Sequence, residues 1–283
     1  LTDIWVCGNC HSINRQRGEK CYKCGARQET AATGEMATLR QEQAVATRTV
    51  IPYRPARALM FGAAMFLVIL AGIHLASIPF SLEAQSFVAG QLDVLAAGGT
   101  IDKAAFDARL AEANLFGLIR LAIVAPSLVF FAAWLSRVVG NVPALGGGLP
   151  GTSPGRAFVA TLIPIVNLRT VPGTIQDVLY RLDPKAGGLI MVAVAWVGLV
   201  ASWIVARIAG WYLGLRLTFD LANAASLKEA VASTRGIITA TTIIEITTNI
   251  LIALGAIVLV MVMARIERRS QARDREIRAF AGV

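Results

Sequence analysis

Residues 237–264 read IITATTIIEITTNILIALGAIVLVMVMA, a run whose one charged side chain is Glu245. About 20 apolar residues in a helix span the ~30 Å of bilayer hydrocarbon, so this stretch is long enough to cross. Three more runs meet the same test: Ala58–Phe80, Leu115–Leu135 and Ala186–Trp211. The third stays apolar to Leu217, which predicts a tilted or outwardly extended helix. Each is read as a helix, because a lone strand would leave its backbone unsatisfied in lipid. With 55 % hydrophobic residues and a mean hydropathy of +0.61, the sequence predicts an all-α membrane protein with four transmembrane helices.

Charge sets the expected orientation. The segment before the first span carries nine Lys/Arg against five Asp/Glu, residues 136–185 five against two, and the tail from Arg265 six against three. On the opposite side, Ser81–Asn114 has two against five and Thr218–Gly236 two against two. Cations therefore crowd one face, and the positive-inside rule predicts both termini in the cytoplasm of a multi-pass cell-membrane protein. The formal net charge of +9 is a topology signal before it is a nucleic-acid signal. The first span starts too far along the chain to read as a cleaved leader.

Upstream of the spans lie all four cysteines of the sequence, as Cys7-x2-Cys10 and Cys21-x2-Cys24. Paired C-x2-C spacing supplies four thiolates in tight knuckles, which suits tetrahedral Zn2+ better than two disulfides. About 25 residues hold too little apolar material for a core, so metal binding is expected to provide most of the folding free energy. A reducing cytoplasm keeps such thiols available for metal, in agreement with the charge-based orientation.

The string WVCGNCHSINRQRGEKCYKC, from Trp5 to Cys24, has the pattern W-x-C-x2-C-x3-N-x6-C-x2-C. It resembles the zinc finger of the Ran-binding protein 2 type, which folds as two crossed hairpins around one zinc. The resemblance implies Cys7, Cys10, Cys21 and Cys24 as ligands, Trp5 packed on the module and Asn14 bridging the knuckles. Ubiquitin-binding members carry Thr-Phe after the second cysteine; His11 and Ser12 stand there instead, so ubiquitin is not the expected partner. RNA-binding members follow the asparagine with an aromatic residue and paired arginines. Here Arg15 and Arg17 remain and the aromatic is missing. Arg15 and Arg17, with Lys20, Lys23 and Arg27, are thus candidates for binding a cytoplasmic protein or RNA phosphate, or are simply a solvated basic face.

Residues 1–28 are read as the finger and 29–56, polar and rich in Ala, Thr, Glu and Gln, as a flexible linker. Residues 57–265 form the membrane domain and 266–283 a basic cytoplasmic tail. Within the membrane domain, 153–183 is too short and too interrupted by Pro164 to cross, so it is expected to lie in the interface or dip and return. Ile175, Val178, Leu179 and Leu182 make one face of an amphipathic helix after Pro172, with Arg181 and Lys185 expected to meet lipid headgroups. The preceding ALGGGLPGTSPG, residues 144–155, reads as a mobile, turn-rich connection.

Trp134-Leu-x-Arg137, a Gly/Leu turn, the SPG entry at Ser153, Pro164-Ile-x-Asn-Leu168 and the following amphipathic helix together resemble the bacterial membrane family called domain of unknown function 4328. The resemblance runs from about Ala58 to Arg265. It implies a multi-pass membrane protein and no activity. Family members carry tryptophans around the SPG stretch, where Arg156 and Phe158 stand here. Pro164 and Asn167 are read as structural hinges.

Four ionisable residues interrupt the spans: His74, Arg120, Arg207 and Glu245. Such groups are costly in lipid and face partners or wet cavities. One reading is a polar chamber for an ion, proton or small solute. The other is a packing lock in which Glu245 pairs with Arg207 or Arg120 and His74 finds a carbonyl. Ala206, Gly210 and Gly214 form a small-residue stripe that permits close helix approach. No Ser/His/Asp set, G-x-G-x-x-G or P-loop occurs, and the sequence reads as a non-enzyme. The expected function is a membrane protein whose cytoplasmic finger recruits a partner, as scaffold or regulator. The alternative is a small transporter or channel built on the Arg/Glu layer, with the finger regulatory.

Overall fold

The computed structural model describes residues 4–6, 13–15, 20, 52–183 and 189–281. The chain divides into two compact units, Leu1–Val50 and Ile51–Val283.

In the first unit, β1 (Ile4–Val6) and β2 (Ile13–Arg15) pair antiparallel, with Ile4 opposite Arg15, Trp5 opposite Asn14 and Val6 opposite Ile13. The residues connecting them carry Cys7 and Cys10. The four cysteines, Arg17 and residues 21–51 lie outside the described residues.

The second unit is helical. Its described elements are α1 (Arg57–Ala96), α2 (Lys103–Asn141), α3 (Pro154–Leu162), α4 (Pro164–Leu182), α5 (Leu189–Trp196), a π-helical turn (Val197–Ala201), α6 (Ser202–Asn223) and α7 (Leu227–Ala281). Helices α1, α2, the continuous α5–α6 and α7 are each long and apolar enough to cross a membrane. Leu118, Leu121, Val205, Ile208 and Trp211 are between 62 and 71 % exposed. Apolar side chains so bare over whole helices need lipid as their solvent, so this is a multi-pass membrane protein.

The helices outrun the hydrocarbon. The 40 residues of α1 would measure about 60 Å and the 55 of α7 about 80 Å. Past the first apolar run, α1 continues through Ser81–Ala96, reverses at Gly98 (φ 83°), and returns as α2. The Asp102 carboxylate caps α2, accepting from the Ala105 N–H at 3.0 Å. Phe80 on Phe116 and Phe87 on Phe106 zip this projecting hairpin, and Arg109 bridges Glu83 and Glu112. The hairpin end also meets α7, through an Arg235–Asp93 ion pair and Gln85 donating to Thr239.

The core lies at the other end, the basic end. There Trp134, Leu135, Val138 and Val139 of α2 pack with Val171, Ile175, Val178 and Leu179 of α4. Val192 and Ala195 of α5 and Leu259, Val262, Met263 and Ile266 of α7 complete it. Ile175, Val178 and Leu179 are 0–4 % exposed, so the amphipathic face of α4 is buried on the bundle. The same face was expected to lie in the lipid interface; burial in this core supplies its partner instead, at about 1.5–3 kcal/mol per large side chain relative to water. Arg181 follows suit. It pairs with Asp177 at 2.7 Å and donates to the Gly147 carbonyl at 3.0 Å, so it meets protein where headgroups were expected. Lys185 lies outside the described residues.

Nor is the glycine-rich connection loose. Gly146 and Gly148 take positive φ, which folds the chain back beneath α4. Asp177 accepts from the Gly151 N–H at 3.0 Å, and Thr174 bonds Thr152 at 3.2 Å. Between α3 and α4 the chain bends at Ile163, and Pro164 opens the next helix; the amphipathic helix expected after Pro172 thus starts at Pro164, with Pro172 inside it. The buried Asn167 amide donates to the Thr161 carbonyl at 2.8 Å, closing the end of α3.

Candidate functional site

Two polar regions lie inside the helical unit. The first is at mid-helix depth on α1, α2 and α7. His74 and Asn249 are both buried, and His74 Nδ1 lies 2.7 Å from Asn249 Oδ1. Arg120 and Glu245 stand within electrostatic range of the same imidazole. Glu245 sits one helical turn before Asn249, so both face α1. On α1, Ser77 donates to the His74 carbonyl at 2.8 Å and Ser81 to the Ser77 carbonyl at 3.1 Å, on either side of Pro79.

The ion pair expected between Glu245 and Arg207 or Arg120 is not formed among the described residues. Arg207 is turned away, its guanidinium 5.6 Å over the Trp203 ring. His74 finds the Asn249 side chain where a carbonyl was expected, because Asn249 offers a desolvated oxygen across the α1–α7 contact. Within the described residues Asn249 Nδ2 and Arg120 Nε are buried without a hydrogen-bond partner. A buried orphan of this kind costs about 1–3 kcal/mol. The structure thus bonds His74 to Asn249, leaves Arg120 and Glu245 within electrostatic range of the imidazole, and sets Arg207 apart.

The second region is at the basic end, where the chain enters α1. The Arg54 N–H donates to Asn141 Oδ1 at 3.1 Å, and Asn141 Nδ2 donates to the Arg54 carbonyl at 2.7 Å. This two-point clamp fastens the chain just before α1 to the end of α2. Ala56, 1 % exposed, is sealed beneath it, and its N–H donates to the Glu267 carboxylate. Sequence reasoning missed Asn141 and Glu267. The only hint was polarity at buried helix ends, which looks the same as ordinary capping. Replacing Asn141 with Leu strands both Arg54 backbone groups. Trypsin cleavage after Arg57 should then accelerate about tenfold, as for a loss of ~1.4 kcal/mol.

Glu267 lies beyond the apolar run of α7, 3 % exposed, with Gln271 donating to it at 3.2 Å. Burial pushes its carboxyl above the ordinary range; hydrogen bonds from Gln271 and Ala56 and the charge of Arg57 pull partly back. Tyr53, whose hydroxyl is buried, is pushed up to about 12 by burial and by the charges of Glu267 and Asp274. An acid whose pKa is raised by folding binds extra protons in the folded state. Its stabilising effect is complete below the unfolded value and fades as pH rises through the raised one. Glu267→Gln should therefore raise the melting midpoint by a few degrees at neutral pH and flatten its fall above the ordinary carboxylate range, read by thermal unfolding in detergent.

Of the finger residues, the structure places Trp5 and Asn14 opposite each other in the β1–β2 pair and Arg15 opposite Ile4. Among the described residues no group of three or more His, Cys, Asp or Glu is arranged to hold a metal ion.

Comparison with curated proteins and with solved structures returns no match. One family model does match, over residues 98–269, well over half of the chain. The matched stretch starts at the tip of the α1–α2 hairpin and takes in α2, the α3–α4 bend, α5–α6 and most of α7. It is shorter at its start than the resemblance read from the sequence, which began at Ala58. It contains every motif that carried that resemblance, from Trp134 to Asn167. On this match the chain belongs to the family described as domain of unknown function (DUF4328).

Proposed function

We propose that this membrane protein recruits a cytoplasmic partner through an N-terminal zinc finger held by Cys7, Cys10, Cys21 and Cys24. The helical unit anchors that finger at the cytoplasmic face of the cell membrane, with both termini inside. The observation that carries the reading is the β1–β2 register. It sets Trp5 opposite Asn14 along two antiparallel strands, and the sequence between those strands carries Cys7 and Cys10, which supports a knuckle hairpin. In this reading Arg15 and Arg17 meet the partner, an acidic protein surface or RNA phosphate.

A second reading is supported by the α1–α2–α7 layer. His74, Arg120, Glu245 and Asn249 converge there with orphaned donors on Arg120 and Asn249, which an ion or small solute would satisfy. One experiment separates the two. In-cell crosslinking from the full chain should capture a discrete partner that is lost with deletion of residues 1–28 and with Cys7→Ser, and retained with Glu245→Gln. If the deletion captures the same species, recruitment by the finger is wrong. A liposome flux that depends on Glu245 would establish the transport reading instead.

A further inference from the structure

At the basic end, a cleft of about 610 Å3 opens between the start of α1, the end of α2 and the first turn of α3. Its volume is in the range of small-molecule sites. Its lining is divided by chemistry. Arg54, Arg137 and Ser136 make a polar side, while Leu59, Ala133 and Phe158 make an apolar one. Among the described residues no carboxylate lines it, and neither guanidinium has an ion-pair or hydrogen-bonding partner. Arg137 is half-buried, and Arg54 is exposed at the mouth of the cleft.

Depth narrows the chemistry that fits. Arg137 follows Leu135, the last residue of the second apolar run, and Leu59 lies in the first turn of α1, where the first apolar run begins. The cleft therefore sits at the boundary between hydrocarbon and water. An occupant there must offer a negative charge to two arginines and an apolar chain to Leu59 and Phe158. We infer that this cleft binds the phosphate headgroup of an anionic phospholipid, with Arg137 and Arg54 on the phosphate and Phe158 and Leu59 against the glycerol and upper acyl chain. The Arg54–Asn141 clamp then has a second consequence: it holds the Arg54 backbone so that its side chain forms one wall of the site.

The test is native mass spectrometry of the full chain in detergent with equimolar phosphatidylglycerol and phosphatidylcholine. The phosphatidylglycerol adduct should dominate about tenfold, as expected where charge-assisted arginine–phosphate bonds decide. Arg137→Gln and Arg54→Gln should each cut that adduct about fivefold or more, whereas Arg169→Gln, an exposed arginine on α4, should change it less than about twofold. Arg54→Gln leaves both backbone bonds to Asn141 in place, so it decides the matter if Arg137→Gln folds poorly. Equal binding of the two lipids, an equal loss with Arg169→Gln, or full displacement by millimolar inorganic phosphate would each overturn the assignment. The last would mark the cleft as a site for free phosphate.

Discussion

Gly255→Leu should abolish the monodisperse helical protein in detergent, whereas Gly214→Leu should leave its melting midpoint within about 2 °C of the parent. The contrast follows from what a side chain would meet. A Cβ on Gly255 would lie 2.8 Å from the Leu199 nitrogen and 2.9 Å from the Ala195 carbonyl. A Cβ on Gly198 would lie 2.5 Å from the Leu251 carbonyl and 2.8 Å from the Gly255 Cα. Every one of these neighbours is backbone, so no rotamer change relieves the clash. The π-helical turn at Val197–Ala201 lies at this crossing, where Ser202 donates to the Gly198 carbonyl. Small residues at a membrane crossing let two backbones touch, and dispersion between them replaces the hydrophobic drive that lipid removes. Forcing the helices apart should cost on the order of 4 kcal/mol or more, the range of exceptional single substitutions. Gly210 and Gly214 have open space where a side chain would go. A Gly255→Leu protein that melts like the parent would show that α5–α6 and α7 do not cross at Gly198.

That crossing also shows what sequence alone conveys. The stripe Ala206, Gly210, Gly214 has the spacing of a close-packing face, yet within this chain Gly210 and Gly214 point outward. Gly198 and Gly255 stand alone in apolar runs and carry no periodic signal. Spacing reveals that a helix has a narrow face; it does not reveal which neighbour takes it. The four apolar runs were legible because lipid imposes a length and a polarity on any helix that crosses it. The extensions of α1 and α2 beyond the bilayer were not, since their polar residues suit a loop as well as a solvated helix. Of the two prolines, Pro164 opens α4, whereas Pro172, read as the start of the amphipathic helix, lies inside it; the local sequence suits either proline as a first helical residue, and the fold chooses between them. Arg181 was misread for a complementary reason. Its charge looked free until the fold brought the Gly147 carbonyl beside it and set Asp177 in pairing geometry. In the polar layer, His74, Arg120 and Glu245 could be named from sequence, since ionisable residues in apolar runs stand out. Their pairing could not, because it depends on the rotation of α7 that places Asn249 against α1.

The other large effect is expected at the cysteines. The full chain expressed in a reducing cytoplasm should carry one zinc ion per molecule by elemental analysis, and Cys10→Ser or Cys21→Ser should release it. A structural four-thiolate site contributes on the order of 10 kcal/mol to folding at neutral pH, far more than about 25 residues with little apolar content can supply otherwise. Metal loss should therefore leave Trp5 solvent-quenched and residues 1–28 open to protease, a change of state and not a loosening. The thiols must be ionised to bind, so acidification should release the zinc and unfold the finger together, as protons compete for sulfur. The helical unit should be indifferent. Its core residues all lie in the second compact unit, and its melting midpoint in Cys10→Ser should match the parent. Two outcomes count against the zinc site: a parent chain lacking zinc, or one lighter by four hydrogens because the cysteines are joined as disulfides. The second would carry further than the finger. Oxidised cysteines on the side where nine, five and six basic residues gather would contradict the reducing compartment that charge asymmetry assigns to both termini.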